Sequence, residues 1–228
     1  METKLVSIVM PVRNNKKITQ DCLDSIFQNS SMVGEVILID DHSTESLADL
    51  KSVGGIASYY LNKGEGVNSA WNYGASLAKF PYICWVNNDI LFTPEWDVPI
   101  IVALDDETWI VSPYHTYGEL PSDFPMGLSK KRNMDGQSTG LPFLGSCFMM
   151  KKDNWEKVGP IDERLKLWSG DNYIYERTVH DFGKKAREIS ESYIHHFGSK
   201  TIDRSGIAES LSKDMETFGL ILQERHWL

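Results

Sequence analysis

Two apolar runs near the N-terminus, LVSIVM at residues 5–10 and VILI at residues 36–39, decide the fold class. Each run is continuous rather than alternating, which is typical of strands buried on both faces of a parallel sheet. Between them, Ile18, Cys22 and Ile26 recur at the spacing of one helix face. The segment therefore predicts a strand, a helix and a second strand parallel to the first.

The same alternation continues to about residue 104. Short strands are predicted at residues 59–61 and 82–86. The helix between them has an apolar face made of Val67, Ala70, Trp71, Gly74, Leu77 and Ala78. Thr93 and Pro94 suit the N-cap and first position of a further helix. This order predicts an α/β fold with a mostly parallel central sheet, right-handed crossovers and helices on both faces.

The second half of the chain is less regular. Strands are predicted at residues 109–112 and 143–150. Residues 114–140 between them are polar and too numerous for an ordinary connection, so we expect a functional loop there. Asp153 and Glu156 have the spacing of a capping box at the start of a short helix.

Two helices are predicted near the C-terminus. The first covers residues 171–182. The second has one apolar face, formed by Ile207, Leu211, Met215, Phe218 and Leu222. Packing of this face on the core is the favoured interpretation, and a membrane or partner surface is the alternative.

The bulk properties limit the class of protein. Apolar residues make up 41% and charged residues 24% of the 228 positions, as in an ordinary globular domain, and we expect one domain over residues 1–228. The net charge of −9 opposes binding to nucleic acid, because such affinity depends on Lys and Arg neutralising phosphates. Neither a signal-peptide pattern nor a run of about 18 apolar residues is found. We therefore expect a cytoplasmic protein, at most peripheral to the inner face of the membrane.

Two smaller features have ordinary structural interpretations. Cys22, Cys84 and Cys147 are far apart in sequence and lack the CxxC spacing of a zinc site or redox pair, so we expect reduced core residues. Residues 130–132 (KKR) form the one dense basic cluster, which a solvated loop explains.

Polar residues follow the predicted strands where ligands bind in open parallel sheets, beyond the carboxyl ends. They are residues 11–14 (PVRN), the pair Asp40 and Asp41, and residues 87–89 (NND). The sequence contains neither GxGxxG after the first strand nor GxxxxGK[ST], so a dinucleotide fold and a P-loop are both disfavoured. A different kind of nucleotide site is needed.

Seven blocks in order resemble the inverting glycosyltransferases of the GT-A fold, in the large family 2 of bacterial surface-polysaccharide enzymes. They are SIVMPVRN at 7–14, VILIDDHST at 36–44, GVNSAWNYG at 66–74, WVNND at 85–89, GPIDER at 159–164, LWSGDN at 167–172 and HFGSKT at 196–201. The resemblance implies one GT-A domain, with a nucleotide-binding half at residues 1–104 and an acceptor-binding and catalytic half at residues 105–228. It also implies a nucleotide-sugar donor.

The resemblance also assigns the nucleotide site. It places Pro11, Val12, Arg13 and Asn14 along the nucleotide, and Asp41, with Asp40 as a second candidate, on the base. A carboxylate can accept the imide N–H of uracil or thymine, which cytosine lacks. Helix or turn capping is the alternative for the acidic pair. Asn62 and Asn72 match positions near the ribose and diphosphate, although Asn is also common in turns and caps.

A metal site is implied at residues 87–89, where the NND sequence replaces the usual DxD motif. Asp89 corresponds to the ligand of a divalent ion, Mn²⁺ or Mg²⁺, and Asn88 to a ribose contact. Such ions prefer oxygen ligands, and diphosphate oxygens complete their coordination. The family often adds a C-terminal histidine, which His196 or its neighbour His195 would supply. A structural histidine is the alternative.

The general base is implied at Asp171. The LWSGDN block aligns with a family segment that ends in GluAsp, and here Gly170 replaces the Glu while Asp171 remains. An acid at a helix start is alternatively an N-cap or a dipole partner. Trp168, Gly145 and Ser146 are assigned to the acceptor or sugar.

The reaction implied is an in-line displacement with inversion, from a UDP- or dTDP-sugar to an acceptor hydroxyl. A saccharide, a lipid-linked saccharide or a protein would each serve as acceptor. The alternatives are a sugar nucleotidyltransferase, for which a glycine-rich signature after the first strand is missing, and an inactive carbohydrate- or nucleotide-binding relative, which the changes at Asn87 and Gly170 keep open.

Overall fold

A mixed sheet lies at the centre of the chain in a computed structural model, which describes residues 3–50, 57–122, 124, 142–198 and 207–227. Its strands are β1 (Val6–Val12), β2 (Val33–Asp40), β3 (Ala57–Leu61), β4 (Tyr82–Val86), β5 (Ile90–Phe92), β6 (Thr108–Tyr117), β7 (Cys147–Lys151) and β8 (Lys185–His196). The helices are α1 (Lys16–Asn29), α2 (Val67–Leu77), α3 (Asp97–Ala103), α4 (Lys152–Val158), α5 (Gly170–Glu176) and α6 (Ile207–Glu224). A π-helical turn, Arg177–Asp181, continues α5.

The N-terminal half of the sheet is parallel, as predicted. Strand order is β3-β2-β1-β4-β7-β6-β8-β5, and β3, β2, β1 and β4 all run in one direction. The β1 and β2 registers place Val12 opposite Asp40, so the residues that follow both strands emerge at the same edge. The continuous apolar runs form these strands because both faces of the sheet are covered.

The other half of the sheet is mixed. β7 is antiparallel to both β4 and β6, β8 is parallel to β6, and β5 pairs antiparallel with β8. Val86 at the end of β4 lies opposite Cys147 at the start of β7. The residues just before β7 therefore join the edge where β1, β2 and β4 end.

Helices pack on both faces of the sheet. One core cluster joins α1 and α3 to the strands, and its members include Ile8, Met10, Cys22, Leu23, Ile26, Leu38, Cys84, Trp96 and Ile100. The other joins α2, α4, α5 and α6, and its members include Val9, Ile37, Trp71, Ile83, Trp85, Trp155, Tyr173, Ile174 and Ile221. Burial of alternate strand residues on the two faces stabilises the single layered domain. The three cysteines are free and buried within the described ranges, as expected of reduced core residues.

The prediction for the start of α3 was wrong. The helix begins at Asp97, and Thr93 instead donates its hydroxyl hydrogen to the carbonyl of Tyr193 on β8, at 2.6 Å. Residues 90–92 form the short strand β5 just before it. Asp97 accepts the backbone N–H groups of Ser31 and Met32, which fixes α3 beside the start of β2.

The predicted capping box was also wrong. α4 begins at Lys152, directly after β7, so Asp153 lies in the first turn and Glu156 farther inside the helix. The backbone N–H of Lys152 bonds to the carbonyl of Pro81, which starts the helix without a capping acid. Residues 114–117, which were predicted to begin the long loop, belong to β6, and most of the remaining predicted loop lies outside the described residues. The basic cluster at 130–132 lies outside the described residues.

The packing face of α6 differs from the predicted one. Asp214 and Ile221 are buried, whereas Leu211 and Met215 are 36% and 60% exposed. Phe218 and Leu222 pack partly against the core, as expected. The prediction was correct for the C-terminal turns only. None of the helices in the described ranges is long and apolar enough to span a bilayer.

Candidate functional site

The carboxyl edge of the sheet gathers most of the predicted site residues. Asp41 follows β2, Asn62 follows β3 and Asp89 follows β4 by three positions. From the other half, the backbone N–H of Asn87 donates to the carbonyl of Ser146, at 2.8 Å, and this bond joins the end of β4 to the segment before β7. The topology therefore brings both halves of the chain to one edge.

Asp41 is nearly buried, with 4% of its side chain exposed. Its Oδ1 accepts hydrogen bonds from the Asn62 amide and from the backbone N–H of Gly66, both at 2.9 Å. Its Oδ2 lies 3.6 Å from Nη1 of Arg13, whose side chain is 55% exposed. One carboxylate oxygen is thus used by the protein, while the other faces a cation that reaches into solvent.

Asp40 points into the protein instead. Its Oδ1 accepts the backbone N–H of Ser43 at 2.9 Å, and its Oδ2 accepts the Tyr59 hydroxyl at 2.5 Å. Burial, together with this hydrogen bond, raises the pKa of Tyr59 to about 12. Both oxygens of Asp40 thus accept hydrogen bonds within the protein, and its nucleotide assignment stays a prediction.

Three asparagines assigned to the nucleotide hold loops together. The amide of Asn72 pairs with Ile161 through both groups, Nδ2 to the carbonyl and Oδ1 from the N–H, each at 2.9 Å. Asn14 accepts the backbone N–H and the hydroxyl of Thr44. Asn62 supports Asp41, as described above. Both groups of the Asn72 amide thus bond to the backbone of Ile161, and the nucleotide assignment of Asn72 stays a prediction.

Asn88 follows β4 by two positions. The residue is 3% exposed, and its Nδ2 donates to the Thr19 hydroxyl of α1 at 2.8 Å. Its amide therefore faces the α1 side of the sheet, and its assignment to a ribose stays a prediction. The remaining loop residues, Pro11 and Val12, are the last two residues of β1.

Asp89 meets a histidine from the other half of the chain. Its Oδ1 lies 3.1 Å from Nε2 of His196, and the pair is 3% and 10% exposed. The backbone reinforces the pair: Ile90 lies opposite His196 in the β5–β8 ladder, and the N–H of Phe197 donates to the Asp89 carbonyl at 3.0 Å. His195 contacts Thr116 and the Gly118 carbonyl instead, and burial lowers its pKa.

The Asp89–His196 pair fits a divalent cation in its donor types. A carboxylate oxygen and an imidazole nitrogen face each other in a buried place, and both are ligands that Mn²⁺ accepts. Within the part of the chain that the structure describes, no cluster of three or more His, Cys, Asp or Glu residues could hold a metal by itself. A cation there would need ligands in addition to this pair.

Asp171 is partly buried beside the segment that precedes β7. A Cβ atom built on Gly145 would overlap the Asp171 carboxylate, so this close approach requires glycine. Burial raises the pKa of Asp171 above its ordinary value. Asp171 is the second residue of α5 and not its N-cap, a position that Ser169 occupies with a φ of 61°. In the first turn of α5, the Asp171 carboxylate interacts favourably with the helix dipole.

Gly170 explains the departure from the GluAsp pattern. A Cβ atom at this position would overlap Oδ1 of Asn68, at the start of α2. A glutamate side chain cannot be accommodated there while Asn68 keeps its place. The glycine is therefore a packing requirement of this chain.

Two buried polar atoms near this region have no hydrogen-bond partner among the described residues. They are the Ser146 hydroxyl and the Trp168 indole nitrogen. Such atoms are costly unless a ligand or water satisfies them. Ser146 is adjacent to Gly145, and Trp168 lies three positions before Asp171.

Two residues that bear on the site were missed by sequence reasoning. Asn68 starts α2, and Asp214 is a buried carboxylate of α6. The signal for Asp214 was available, because it falls on the same helix face as Phe218 and Ile221.

The sequence model described as "Glycosyl transferase family 2" matches residues 7–159. The chain belongs to glycosyl transferase family 2. An uncharacterized glycosyltransferase of Rickettsia typhi is 33% identical over 113 residues, which are 47% of this chain and 35% of that relative. Glycosyltransferase GlyG of Streptococcus pneumoniae is 24% identical over 235 residues, covering 93% of this chain and 77% of GlyG. The chain spans only 16–35% of the length of the first three relatives.

Solved structures share the fold. A mannosyltransferase, PcManGT from Pyrobaculum calidifontis, in complex with GDP-Man and Mn²⁺, superposes with a TM-score of 0.65 at 15% identity, over 92% of this chain and 61% of that one. GalNAc-T7 with UDP, GalNAc and Mn²⁺ gives 0.62 at 15% identity, over 84% and 43%. The family 2 domain therefore has the GT-A fold, as predicted from the sequence.

Proposed function

We propose that this family 2 domain transfers a sugar from a UDP- or dTDP-sugar to an acceptor hydroxyl, with inversion and with a divalent metal. The observation that carries the proposal is the convergence of three acidic positions at one sheet edge. Asp41 lies opposite Arg13, Asp89 faces His196, and Asp171 packs closely against Gly145. A base-binding carboxylate, a metal ligand and a proton acceptor are the parts that this reaction needs.

The donor base contacts Asp41. Its Oδ1 is held by Asn62 and Gly66, so the carboxylate is fixed and Oδ2 remains for the imide N–H of uracil or thymine. Arg13 beside it is exposed enough to reach a phosphate or the base edge. A cytosine ring has no imide N–H, so the proposal favours UDP and dTDP over CDP.

The leaving diphosphate departs toward the Asp89–His196 pair. These two side chains would hold a divalent cation, whose charge stabilises the negative charge that develops on the diphosphate. PcManGT and GalNAc-T7 are both described with Mn²⁺, which supports Mn²⁺ as the first ion to test. Because the protein supplies few ligands, we expect metal and nucleotide to bind together.

Asp171 accepts the proton of the acceptor hydroxyl. The acceptor oxygen forms a bond to the anomeric carbon, the bond from that carbon to the diphosphate oxygen breaks, and its electron pair leaves with the diphosphate. Inversion follows from a single displacement. Burial that raises the pKa of Asp171 makes it a better base than an exposed carboxylate, and such catalysis contributes about 10²–10⁴-fold.

The acceptor lies on the side of Gly145, Ser146 and Trp168. The Ser146 hydroxyl and the Trp168 indole nitrogen are buried without a partner among the described residues, so an acceptor or sugar hydroxyl is a suitable ligand for them. A saccharide, free or carried on a lipid or protein, has the required hydroxyl groups. The proposal includes a role in surface-polysaccharide synthesis, which the sequence resemblance implies.

The test is turnover of a panel of UDP- and dTDP-sugars in the presence of Mn²⁺, with GDP- and CDP-sugars as the comparison. We expect slow release of UDP or dTDP with water as acceptor, and faster release when simple glycosides are added. A protein that binds these nucleotides but turns none of them over would be a binding relative. Synthesis of a sugar nucleotide from a nucleoside triphosphate and a sugar phosphate would instead indicate a nucleotidyltransferase.

A further inference from the structure

Asp214 is a buried carboxylate far along the chain from the site, on the inner face of α6. It accepts three consecutive backbone N–H groups: Oδ2 bonds to Leu167 and Trp168 at 2.8 Å each, and both oxygens approach the N–H of Lys166, at 3.2 and 3.3 Å. Burying a carboxylate is costly unless several donors satisfy it. Here the donors all belong to the turn of residues 166–168.

This turn leads directly to Asp171. Its N–H groups belong neither to a helix nor to a strand, so without Asp214 they would lose the acceptor that fixes the turn. After it, Ser169 takes a left-handed conformation and α5 begins at Gly170. The position of the turn therefore sets where α5 starts and where the Asp171 carboxylate is placed.

The opposite side of the turn is held by Asn68. Its backbone N–H donates to the Lys166 carbonyl and its Nδ2 to the Trp168 carbonyl, both at 3.1 Å. Asn68 also packs against Gly170. Two positions earlier, Gly66 donates to Asp41. The turn is thus fixed between Asp214 on its N–H side and the first turn of α2, which belongs to the nucleotide side of the site, on its carbonyl side.

We infer that Asp214 is a positioning residue for sugar transfer: by holding residues 166–168, it keeps the Asp171 carboxylate in line with the acceptor hydroxyl. The inference rests on the proposed function, since it gives Asp171 the role of base. Asp214 itself touches none of the residues assigned to donor or metal in the contacts described above. A displacement of about 1 Å in a reacting group can cost about 10²-fold in rate, so a remote anchor of this kind matters for turnover.

Asp214→Asn is the test variant, because it keeps the shape but removes the charge and presents an NH₂ group to one of the turn amides. We expect kcat for the UDP- or dTDP-sugar that turns over to fall by about 10–100-fold. The Kd of UDP with Mn²⁺ should stay within about threefold, since the Asp41 and Asp89 sites are intact. Glu216→Gln, an exposed acid on the same helix, is the matched control and should behave like the parent.

A double-variant cycle separates positioning from a merely structural role. If Asp214 acts through Asp171, adding Asp214→Asn to Asp171→Asn should slow turnover little further, because residues that act as a unit are not additive. Asn68→Ala, which releases the turn from its other side, should give the same pattern and replaces Asp214→Asn if that variant does not fold.

Three results would overturn the inference. They are parental kcat in Asp214→Asn, losses that multiply fully in the Asp171→Asn background, and a loss of UDP affinity as large as the loss of kcat. In each of these cases, slow turnover of Asp171→Asn would still support the proposed function. Near-parental turnover of Asp171→Asn would remove the proposed base and the inference together.

Discussion

Oδ1 of Asp89 lies 3.1 Å from Nε2 of His196, although 107 positions separate the two residues in sequence. The antiparallel pairing of β5 with β8 brings them together, with Ile90 directly opposite His196. His195, the alternative ligand, contacts Thr116 and Gly118 instead. The fold therefore distinguishes between two adjacent histidines that the sequence left equivalent.

The first prediction concerns this pair. Asp89→Asn should abolish the Mn²⁺ dependence of UDP binding, because an amide is a much weaker metal ligand than a carboxylate. The Kd of UDP would then be nearly the same with Mn²⁺ and with EDTA. Isothermal titration at matched ionic strength measures both values.

Neighbouring histidines provide the control for the metal prediction. His196→Gln should also weaken the Mn²⁺ effect, whereas His195→Gln should retain it, provided that both variants melt near the parent temperature. A metal dependence that survives in Asp89→Asn, or that disappears in His195→Gln alone, would place the ion elsewhere.

Sequence reasoning located the parallel half of the fold well. The runs at 5–10 and 36–39 are buried on both faces, and burial of this kind leaves continuous apolar segments. β8 was missed for the opposite reason. Most of residues 185–191 are charged or polar and exposed, and only Ile189 among them is buried, so the first part of this strand has no apolar pattern.

The sequence indicated which polar residues follow the strands, but not which distant groups each of them contacts. The strand ends identified Asp40, Asp41 and Asp89. The two adjacent acids nevertheless have different partners: Asp41 lies beside Arg13, whereas Asp40 accepts hydrogen bonds from Ser43 and Tyr59. A local sequence does not specify which oxygen meets which distant donor. For the same reason, the pairing of Asn72 with Ile161 could not be foreseen, since the cause lies 89 positions away.

The second prediction concerns base selection by Asp41. Asp41→Asn keeps an acceptor for Asn62 and Gly66 but presents an NH₂ group where Oδ2 stood, and this group cannot accept the imide N–H of uracil. UDP and dTDP affinity should fall by about 10–100-fold, the value of a hydrogen bond to a charged group. CDP affinity should hold or rise, because N3 of cytosine accepts a hydrogen bond.

Competition titrations with UDP, dTDP, CDP and GDP measure this change in selectivity. Asp106→Asn is the control, because this fully exposed acid pairs with Lys151, which lies opposite the start of β4 and so at the other edge of the sheet. An equal loss for all four nucleotides would indicate a collapsed loop, and unchanged UDP affinity would contradict the base assignment.

The third prediction uses the close approach of Gly145 to Asp171. Gly145→Ala adds a Cβ that overlaps the carboxylate, so Asp171 must shift. We expect kcat to fall by about 10²-fold with UDP affinity retained, since the nucleotide contacts lie elsewhere. Gly219→Ala in α6 is the matched control, because its Cβ meets no atom within 4 Å. That control should be stabilised by about 0.5–1 kcal/mol. Equal activity of the two variants would separate Gly145 from the catalytic base.

The fourth prediction is a pH dependence of stability. Burial raises the pKa of Asp171, so the folded state binds this proton more tightly than the unfolded chain does. The stabilisation is fully present below the unfolded pKa of about 3.9 and is lost as pH rises through the folded pKa. At neutral pH the ionised Asp171 carboxylate therefore lowers the free energy of unfolding.

Asp171→Asn should remove this contribution, because an amide does not ionise. The variant should melt above the parent at neutral pH, and the difference should shrink as pH falls below the folded pKa of Asp171. Each kcal/mol of unfolding free energy shifts the melting temperature by about 2–4 °C for a domain of this size. Melting curves for both proteins across the acid range measure it. A variant less stable than the parent at neutral pH would mean that the carboxylate is stabilised by contacts beyond those described.

The last prediction tests the chemical role of the same residue. If Asp171 removes the acceptor proton, Asp171→Asn keeps the size and much of the hydrogen bonding but cannot accept a proton at neutral pH. Turnover should fall by about 10²-fold or more, with the loss concentrated in kcat. The Kd of UDP with Mn²⁺ should match the parent, because Asp41 and Asp89 are unchanged.

Activity and stability then move in opposite directions in one variant. A residue that only stabilises the first turn of α5 would behave otherwise: losing its interaction with the helix dipole would cost about 0.3–1 kcal/mol of stability and leave turnover close to the parent value. The parent enzyme offers an independent check: its kcat should fall on the acid side as Asp171 is protonated, at a pH above the ordinary carboxyl range because burial raises that pKa. Near-parental turnover of Asp171→Asn would exclude Asp171 as the base. The next carboxylates to test would be Asp162 and Glu163, although Arg164 already holds Asp162 through Nε and Nη2 and lowers its pKa, which makes it the weaker base.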